Sequence, residues 1–404
     1  MSKIRVGFSI KGLYQYFHMI KPITNANTSG NIEFYILHLD KYYKYNEDSI
    51  EITDAITVNL VDDRNVVKRI KDLGLDFMII FNPGQIFDVF ITAICKESNT
   101  KTIYYQHGLS LPFGSFDITE ISQGKTLKDF IKSLRRYLYF YKTMIVSIFF
   151  INEKIKMAKL ILKRSYQIFF MHGRLDYPKY GLKEFHCDIG LVFGGNDKEY
   201  LIANNGFKSQ DVIIGGYPIL GGPGQSNGLP ENFILYISSG LLTSKVIPIT
   251  IKEEREFYVS LAEKAKNTKN KLVIKLHPTE DLNLFKDYVK AYDNVMVFKD
   301  YNLSDLVESS NVVIGDYSTA LFYPIKHKKS LILLQSEFLK EYPFDFSDYG
   351  VGEKVEMEEL EGFLKNPPIV NQEAYINFLY RFIANEDDAS SNEVLFQNIL
   401  LKKH

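Results

Sequence analysis

Tryptophan is absent from the 404 residues, and cysteine occurs only twice, at Cys95 and Cys187. Neither cysteine belongs to a Cys-x-x-Cys pair, so neither a disulfide scaffold nor a thiolate zinc site organises the chain. Two isolated thiols fit a reducing compartment and read as small buried apolar residues. Long hydrophobic runs are missing as well. No apolar stretch reaches about 18 residues, so no spanning helix is expected. The N-terminus, MSKIRVGFSI, lacks the apolar core of a secretory signal, and a cytoplasmic location is expected. An excess of charge of either sign is also lacking. The 48 Lys and Arg balance 49 Asp and Glu, and whole-molecule electrostatics point to no partner.

Familiar motifs are missing too. No Gly-x-Gly-x-x-Gly opens a helix, which disfavours a dinucleotide redox cofactor, and no P-loop is present. His-Glu-x-x-His and Gly-x-Ser-x-Gly do not occur, so zinc-peptidase and serine-hydrolase readings fall away. The acids of LVDDR (60–64) are adjacent, and adjacent strand residues face opposite ways, which makes a poor metal site. No metal and no cofactor are expected.

What remains is an apolar content of 46% with 24% charged residues, enough for a sizeable core. The first 120 residues alternate apolar runs with segments of helical period. IRVGFSI (4–10), IEFYILHL (32–39), AITVNLV (55–61), DFMIIF (76–81) and TIYYQ (102–106) are the strand candidates. Such alternation predicts a parallel sheet covered on both faces. Residues 121–170 change character, with eleven Lys and Arg against Asp129 and Glu153, and ten aromatic residues. Two readings stay open for the helical stretch 125–170. One packs it on the domain surface. The other lays it on an anionic membrane, with cations at the headgroups and aromatics inserted. No other basic surface supports a nucleic-acid partner.

Strand signals resume at DIGLVF (188–193) and DVIIGGYPIL (211–220). GGPGQSNGLPEN (221–232) carries five Gly or Pro in its first nine residues and marks a linker. A cleaner pattern follows, with strands FILYI (233–237), KLVIKL (271–276), VMVF (295–298), NVVIG (311–315) and SLILL (330–334). Helices fall between them, and helical segments near 356–365, 371–385 and 392–402 close the chain. The expected architecture is α/β. A Rossmann-like domain at 1–220, holding the 125–170 segment, is joined by a linker at 221–230 to a second at 231–404 with terminal helices. A cleft is expected between them. In such sheets ligands lie beyond the carboxyl ends of the strands, so candidate residues are those that sit there.

His107, in YYQHG, follows a first-half strand and reads as a general base or phosphate ligand. In LVIKLHPTED (272–281) a strand ends on His277, and Pro278 bars an αR conformation at that histidine. Lys275 lies two residues earlier on the same face of a regular strand. A phosphate-bearing ligand would suit both side chains. In VVIGDYSTALF, Asp316 follows a strand, and Ser318 and Thr319 open a helix whose free N–H groups favour an anion. Ordinary helix capping explains these residues equally well. Ser238, Ser239 and Gly240 form a small polar turn suited to a diphosphate. Gly216 and Tyr217, in GGYP, form a similar turn.

In this order, QHG, GGYP, KLHP and GDYSTALF resemble the GT-B glycosyltransferases of bacterial surface polysaccharide synthesis. The resemblance is nearest to the group of CDP-glycerol and CDP-ribitol glycerophosphotransferases and related capsule transferases. It implies two Rossmann-like domains and a nucleotide-sugar or CDP-alditol donor. The acceptor would be a glycan or glycolipid of the capsule, teichoic acid or lipopolysaccharide. It also implies acceptor activation by His107, and donor-phosphate binding by His277, Ser318 and Thr319. The run LSLPFG after QHG departs from the Thr-Pro-Leu-Lys type of the polyol-phosphate enzymes and leaves CMP-sugar, UDP-sugar and CDP-alditol donors open. Work at the inner face of a bacterial membrane is expected. Two other functions share the plan: a UDP-sugar 2-epimerase-like enzyme, and a non-catalytic glycan- or lipid-binding protein.

Overall fold

The computed structural model describes residues 3–10, 17–25, 27, 30–39, 54–61, 63, 65–81, 86–106, 148–160, 162, 186–216, 228–240, 250–277, 280–316, 318–335, 345–383, 395 and 400. The chain divides into two compact units. The first comprises Met1–Thr119, Lys125–Pro218 and Asp387–His404, and the second Glu120–Gly124 and Ile219–Glu386. The main division falls beside the Gly/Pro-rich stretch expected to be a linker, of which 221–227 lie outside the described residues.

Among the described residues, the first unit holds seven strands: β1 (Ile4–Ser9), β2 (Ile32–His38), β3 (Ala55–Asn59), β4 (Phe77–Ile80), β5 (Lys101–Tyr105), β6 (Ile189–Val192) and β7 (Val212–Ile214). They pair in parallel in the order β3-β2-β1-β4-β5-β6-β7. Successive residues feed opposite cores, as a sheet covered on both faces requires. Phe34, Ile36, Phe77, Ile79 and Tyr105 point to one cluster. Tyr35, Leu37, Met78, Ile80 and Tyr104 point to the other.

Two assignments differ from the sequence expectation. Glu120–Gly124, expected in the first domain, belongs to the second unit, and the tail from Asp387, expected in the second domain, belongs to the first. Leu395 and Leu400 are fully buried there with Val6, Phe8 and Phe81. Fully burying a leucine is worth about 1.5–3 kcal/mol, which gives the tail reason to return.

Of the 125–170 segment, only 148–160 and 162 are described, and 154–160 are helical. Ile148, Ile151, Met157 and Leu160 pack into the core cluster that also holds Cys95 and Cys187. Both cysteines are free and fully buried, and burial raises both thiols, that of Cys187 to about 12.

The second unit holds β8 (Phe233–Ile237), β9 (Lys271–Lys275), β10 (Val295–Phe298), β11 (Ser310–Gly315), β12 (Ser330–Gln335) and β13 (Glu353–Glu356). They pair in parallel in the order β10-β9-β8-β11-β12-β13. The chain runs outward from β8 through β9 to β10. It then returns to the other side of β8 for β11, β12 and β13. The strand order therefore reverses between β8 and β11, and ligands of open α/β sheets bind at such a reversal.

The crossover helix Ile251–Asn267 starts at a reciprocal cap. The Glu253 N–H donates to Thr250 Oγ1 at 3.2 Å, and the Thr250 N–H donates to Glu253 Oε2 at 2.7 Å. Its apolar face sets Tyr258, Leu261, Ala262 and Ala265 against the sheet. The closing helices, Leu360–Lys365 and Gln372–Phe382, lie near their expected places.

Candidate active site

The carboxyl ends of the three central strands of the second unit come together. β8 leads into Ser238, Ser239 and Gly240, β9 into Leu276 and His277, and β11 into Asp316. The register sets Ile237 beside both Lys275 and Gly315, so these ends stand level. The Ser238 N–H donates to the Lys275 carbonyl at 3.0 Å and extends the β8–β9 ladder by one bond.

Gly240 makes the turn after β8 possible in two ways. Its φ is +70°, in the left-handed region that side-chain-bearing residues avoid. A Cβ there would also stand 2.8 Å from His277 Cγ and 2.9 Å from Nδ1. The imidazole thus lies directly on the glycine, at a strand end and half-buried.

Beneath this surface is a polar network that the sequence did not announce. Glu280 is 1% exposed. Its Oε2 accepts the His277 N–H at 2.6 Å, and its Oε1 accepts the Ser238 hydroxyl at 2.7 Å. Ser238 Oγ in turn accepts from the Tyr258 hydroxyl at 3.2 Å and the Gly240 N–H at 3.3 Å. Burial pushes the Glu280 carboxyl up to about 7, and the Asp316 and Glu254 carboxyls add to the rise. The hydrogen bonds from Ser238 and His277 oppose it. Asp316 lies across from Glu280, and its own carboxyl is raised by burial to about 6, with a Ser239 hydrogen bond holding it down. Its Oδ1 is buried without a hydrogen-bond partner among the described residues.

Lys275 is engaged otherwise than the phosphate reading requires. Its ammonium donates to the Leu276 carbonyl at 2.9 Å and the Lys299 carbonyl at 2.6 Å, which ties the ends of β9 and β10. Burial lowers it to about 8, against the opposing pull of Asp300 and Glu280.

The expected helix at 318 is instead a 3-10 turn, Thr319–Leu321, followed by the short helix Phe322–Lys326. The Ser318 oxygen accepts the Ala320 N–H at 3.2 Å, the capping alternative realised. Its hydroxyl proton remains available to an oxygen acceptor, and Thr319 opens the turn beside it. An array of helix-end amides is not formed over so short a helix.

In the first unit, His107 and Tyr217 lie outside the described residues. The residues that precede them, Gln106 and Gly216, are described. Gln106 follows β5, is fully buried, and accepts the Phe193 N–H through Oε1 at 2.7 Å. The Gln106 N–H donates to the Leu191 carbonyl at 3.0 Å. These bonds fix the backbone that leads into His107. Gly216, two residues beyond β7, is buried with φ +74°.

Among the described residues, no group of three or more His, Cys, Asp or Glu side chains could hold a metal ion. The second-unit site instead offers an imidazole and the Ser318 hydroxyl at a strand reversal, an arrangement suited to phosphate oxygens.

A sequence model of the alpha-2,8-polysialyltransferase (POLYST) family matches residues 35–335, well over half of the chain. The chain belongs to this family. The matched span runs through Gln106, the 238–240 turn, His277 and Ser318, so the polysialyltransferase match includes both described strand-end regions. The chain is also similar to the minor teichoic acid biosynthesis protein GgaB of Bacillus subtilis (strain 168). Identity there is 25% over 258 residues, 56% of this chain and 28% of that protein. The chain thus spans under a third of that relative's length.

Two solved structures share the fold. The wall teichoic acid polymerase TagF has a TM-score of 0.55 and 14% identity, with 99% of this chain and 88% of that one covered. The spinosyn forosaminyltransferase SpnP has a TM-score of 0.56 and 13% identity, with both chains covered in full at 100%. Two parallel α/β sheets of this kind are the GT-B architecture that the sequence motifs imply.

Proposed function

We propose that this GT-B glycosyltransferase moves a sugar, or an alditol phosphate, from a cytidine-activated donor to a growing anionic glycan of the bacterial surface, without a metal. The carrying observation is the imidazole of His277 seated on Gly240 at the β8–β9–β11 strand ends. Donor phosphates would meet the imidazole and the Ser318 hydroxyl, and these groups would stabilise the leaving nucleotide. The family description supports transfer in acidic glycan synthesis. A variant of TagF soaked with CDPG supports cytidine as the base. His107 would take the proton of the acceptor hydroxyl.

Thermal shift of the purified chain with CMP, CDP or UDP, without acceptor, tests the donor. A ligand at a hundred times its Kd adds about 2.7 kcal/mol of stability. Stabilisation by CMP or CDP, unchanged in EDTA, is the expected result. A response to UDP-HexNAc alone would favour a 2-epimerase-like enzyme. No response to any nucleotide would favour a non-catalytic binding protein.

The same reading places the enzyme at the inner face of the membrane, where glycolipid-linked acceptors are held. The described part of the basic segment supports this. Phe149, Phe150, Ile155 and Leu162 are 71%, 51%, 73% and 69% exposed, while their neighbours Ile148, Ile151 and Met157 are buried. Lys154 and Lys159 are exposed beside them. One face of the stretch therefore packs on the core, and another offers apolar side chains with cations, as an anionic bilayer requires. Each such cation is worth roughly 1 kcal/mol near that surface. Lys154→Gln/Lys159→Gln is expected to weaken binding to phosphatidylglycerol vesicles by about tenfold or more. Pelleting equal to wild type in moderate salt would refute the membrane assignment.

A further inference from the structure

Glu280 holds His277 from both sides. The Glu280 N–H donates to the His277 carbonyl at 3.0 Å, and its carboxylate accepts the His277 N–H. The second carboxylate oxygen crosses to Ser238, whose oxygen receives the Gly240 N–H. One side chain thus joins the end of β9 to the turn after β8, the two pieces on which the imidazole rests. We propose that Glu280 is the positioning residue of the donor site, fixing His277 and the 238–240 turn relative to each other. The proposal rests on the donor-site reading above, and Glu280 itself is too deeply buried to touch the donor.

A glutamate is a costly joint. Packing alone would be served by a neutral or apolar side chain, because a buried carboxylate surrounded by other acids loses hydration. Asp316 faces Glu280 from the end of β11, and Glu254 and Tyr258 face it from the helix Ile251–Asn267. Tyr236 faces it from β8, and the partly compensating Lys275 from β9. What glutamate adds is two strong acceptors on one rigid plane, matched to an obligate N–H donor and a hydroxyl donor.

Glutamine at this position keeps one acceptor and substitutes a donor for the other. Its amide can serve the His277 N–H, but it then donates to a Ser238 oxygen already receiving two hydrogen bonds. The Ser238 proton loses its acceptor, and the turn must shift.

Stability and function are therefore opposed at this residue. The carboxyl lies at about 7 in the fold against an ordinary 4.5, so the folded state holds its proton more tightly than the unfolded chain does. Stability from this group is present below pH 4.5 and is lost as pH rises towards 7. Glu280→Gln removes that loss.

The test uses the full chain and three readings. In Glu280→Gln, melting at pH 8 should be at or above wild type, with the gain absent at pH 4.5. Amide exchange at Gly240 and His277 should be faster. CMP or CDP should bind about tenfold more weakly, the worth of one hydrogen bond to a charged group. Ser238→Ala, which breaks only the β8 arm, should show faster exchange at Gly240 with a smaller loss of affinity. Faster exchange in a protein whose wild type binds no nucleotide would support the joint while refuting the donor reading. Exchange and affinity both equal to wild type would overturn the proposal. So would a lower melting point at pH 8 with unchanged affinity, because a purely structural glutamate behaves that way.

Discussion

Replacing His107 by alanine is expected to lower transfer by about 10²–10⁴-fold, the usual cost of a lost general base, with nucleotide binding nearly unchanged. As the donor bond breaks, the acceptor hydroxyl must lose its proton, and an ordinary imidazole, with a pKa near 6.5, can accept it at neutral pH. The donor phosphates are assigned to the second unit, so removing a first-unit imidazole leaves their contacts in place. His277→Ala should behave differently and lose both nucleotide affinity and turnover, because a phosphate contact exists in the ground state and the transition state alike. Isothermal titration with CDP or CMP, together with initial rates at saturating donor, separates the two. A His107→Ala protein that transfers at the wild-type rate would move the base elsewhere, with the acids Asp117 and Glu120, ten and thirteen positions downstream, next in line. A His107→Ala protein that fails to fold would make the histidine structural.

The ease with which such residues could be placed varied with the physics behind each signal. Twelve of the thirteen strands among the described residues announce themselves as apolar runs, the inner ones most plainly, because a parallel strand buried on both faces has no polar side to confuse the pattern. The exception is β13, Glu-Lys-Val-Glu, an edge strand with three of its four residues exposed, whose charges carry no strand signal and which lies just ahead of the helical segment read from 356. The return of the tail to the first unit was equally hidden, since periodicity says which face of a segment is apolar but not which core receives it. At the site, strand-end histidines and small turns could be found from local order alone. Lys275 could not be assigned that way, because its partners are the Leu276 carbonyl and a second carbonyl 24 residues onward at Lys299. Glu280 was within reach: an acid three residues after a strand-end His can fold back on its N–H. Tyr258 and Ser238, twenty residues apart, meet only when the crossover helix packs on the sheet.

Gly240→Ala is the second large effect, and it tests the geometry rather than the chemistry. The added methyl would stand within 3.0 Å of three His277 atoms and would be required at φ +70°. Holding a non-glycine residue in that conformation costs roughly 1–2 kcal/mol, and the clash adds to it. The protein has two ways to relax. The turn can leave the left-handed region and break the Gly240 N–H bond to Ser238, or the imidazole can swing off its seat. Both move the phosphate-binding groups, so affinity for CDP or CMP should fall by about 10–100-fold, the worth of a hydrogen bond to a charged group. The fold should survive, because the core beneath, with Tyr236, Tyr258 and Ile274, is untouched. A double-mutant cycle gives the decisive reading. If Gly240 matters through the ring it carries, Gly240→Ala should cost little further affinity once His277→Ala has removed that ring, and the coupling energy should approach the whole of the single-mutant effect. Independent, additive losses would mean that the shape of the 238–240 turn matters to the donor apart from the ring. Wild-type affinity in Gly240→Ala would mean that the imidazole binds equally well from another position.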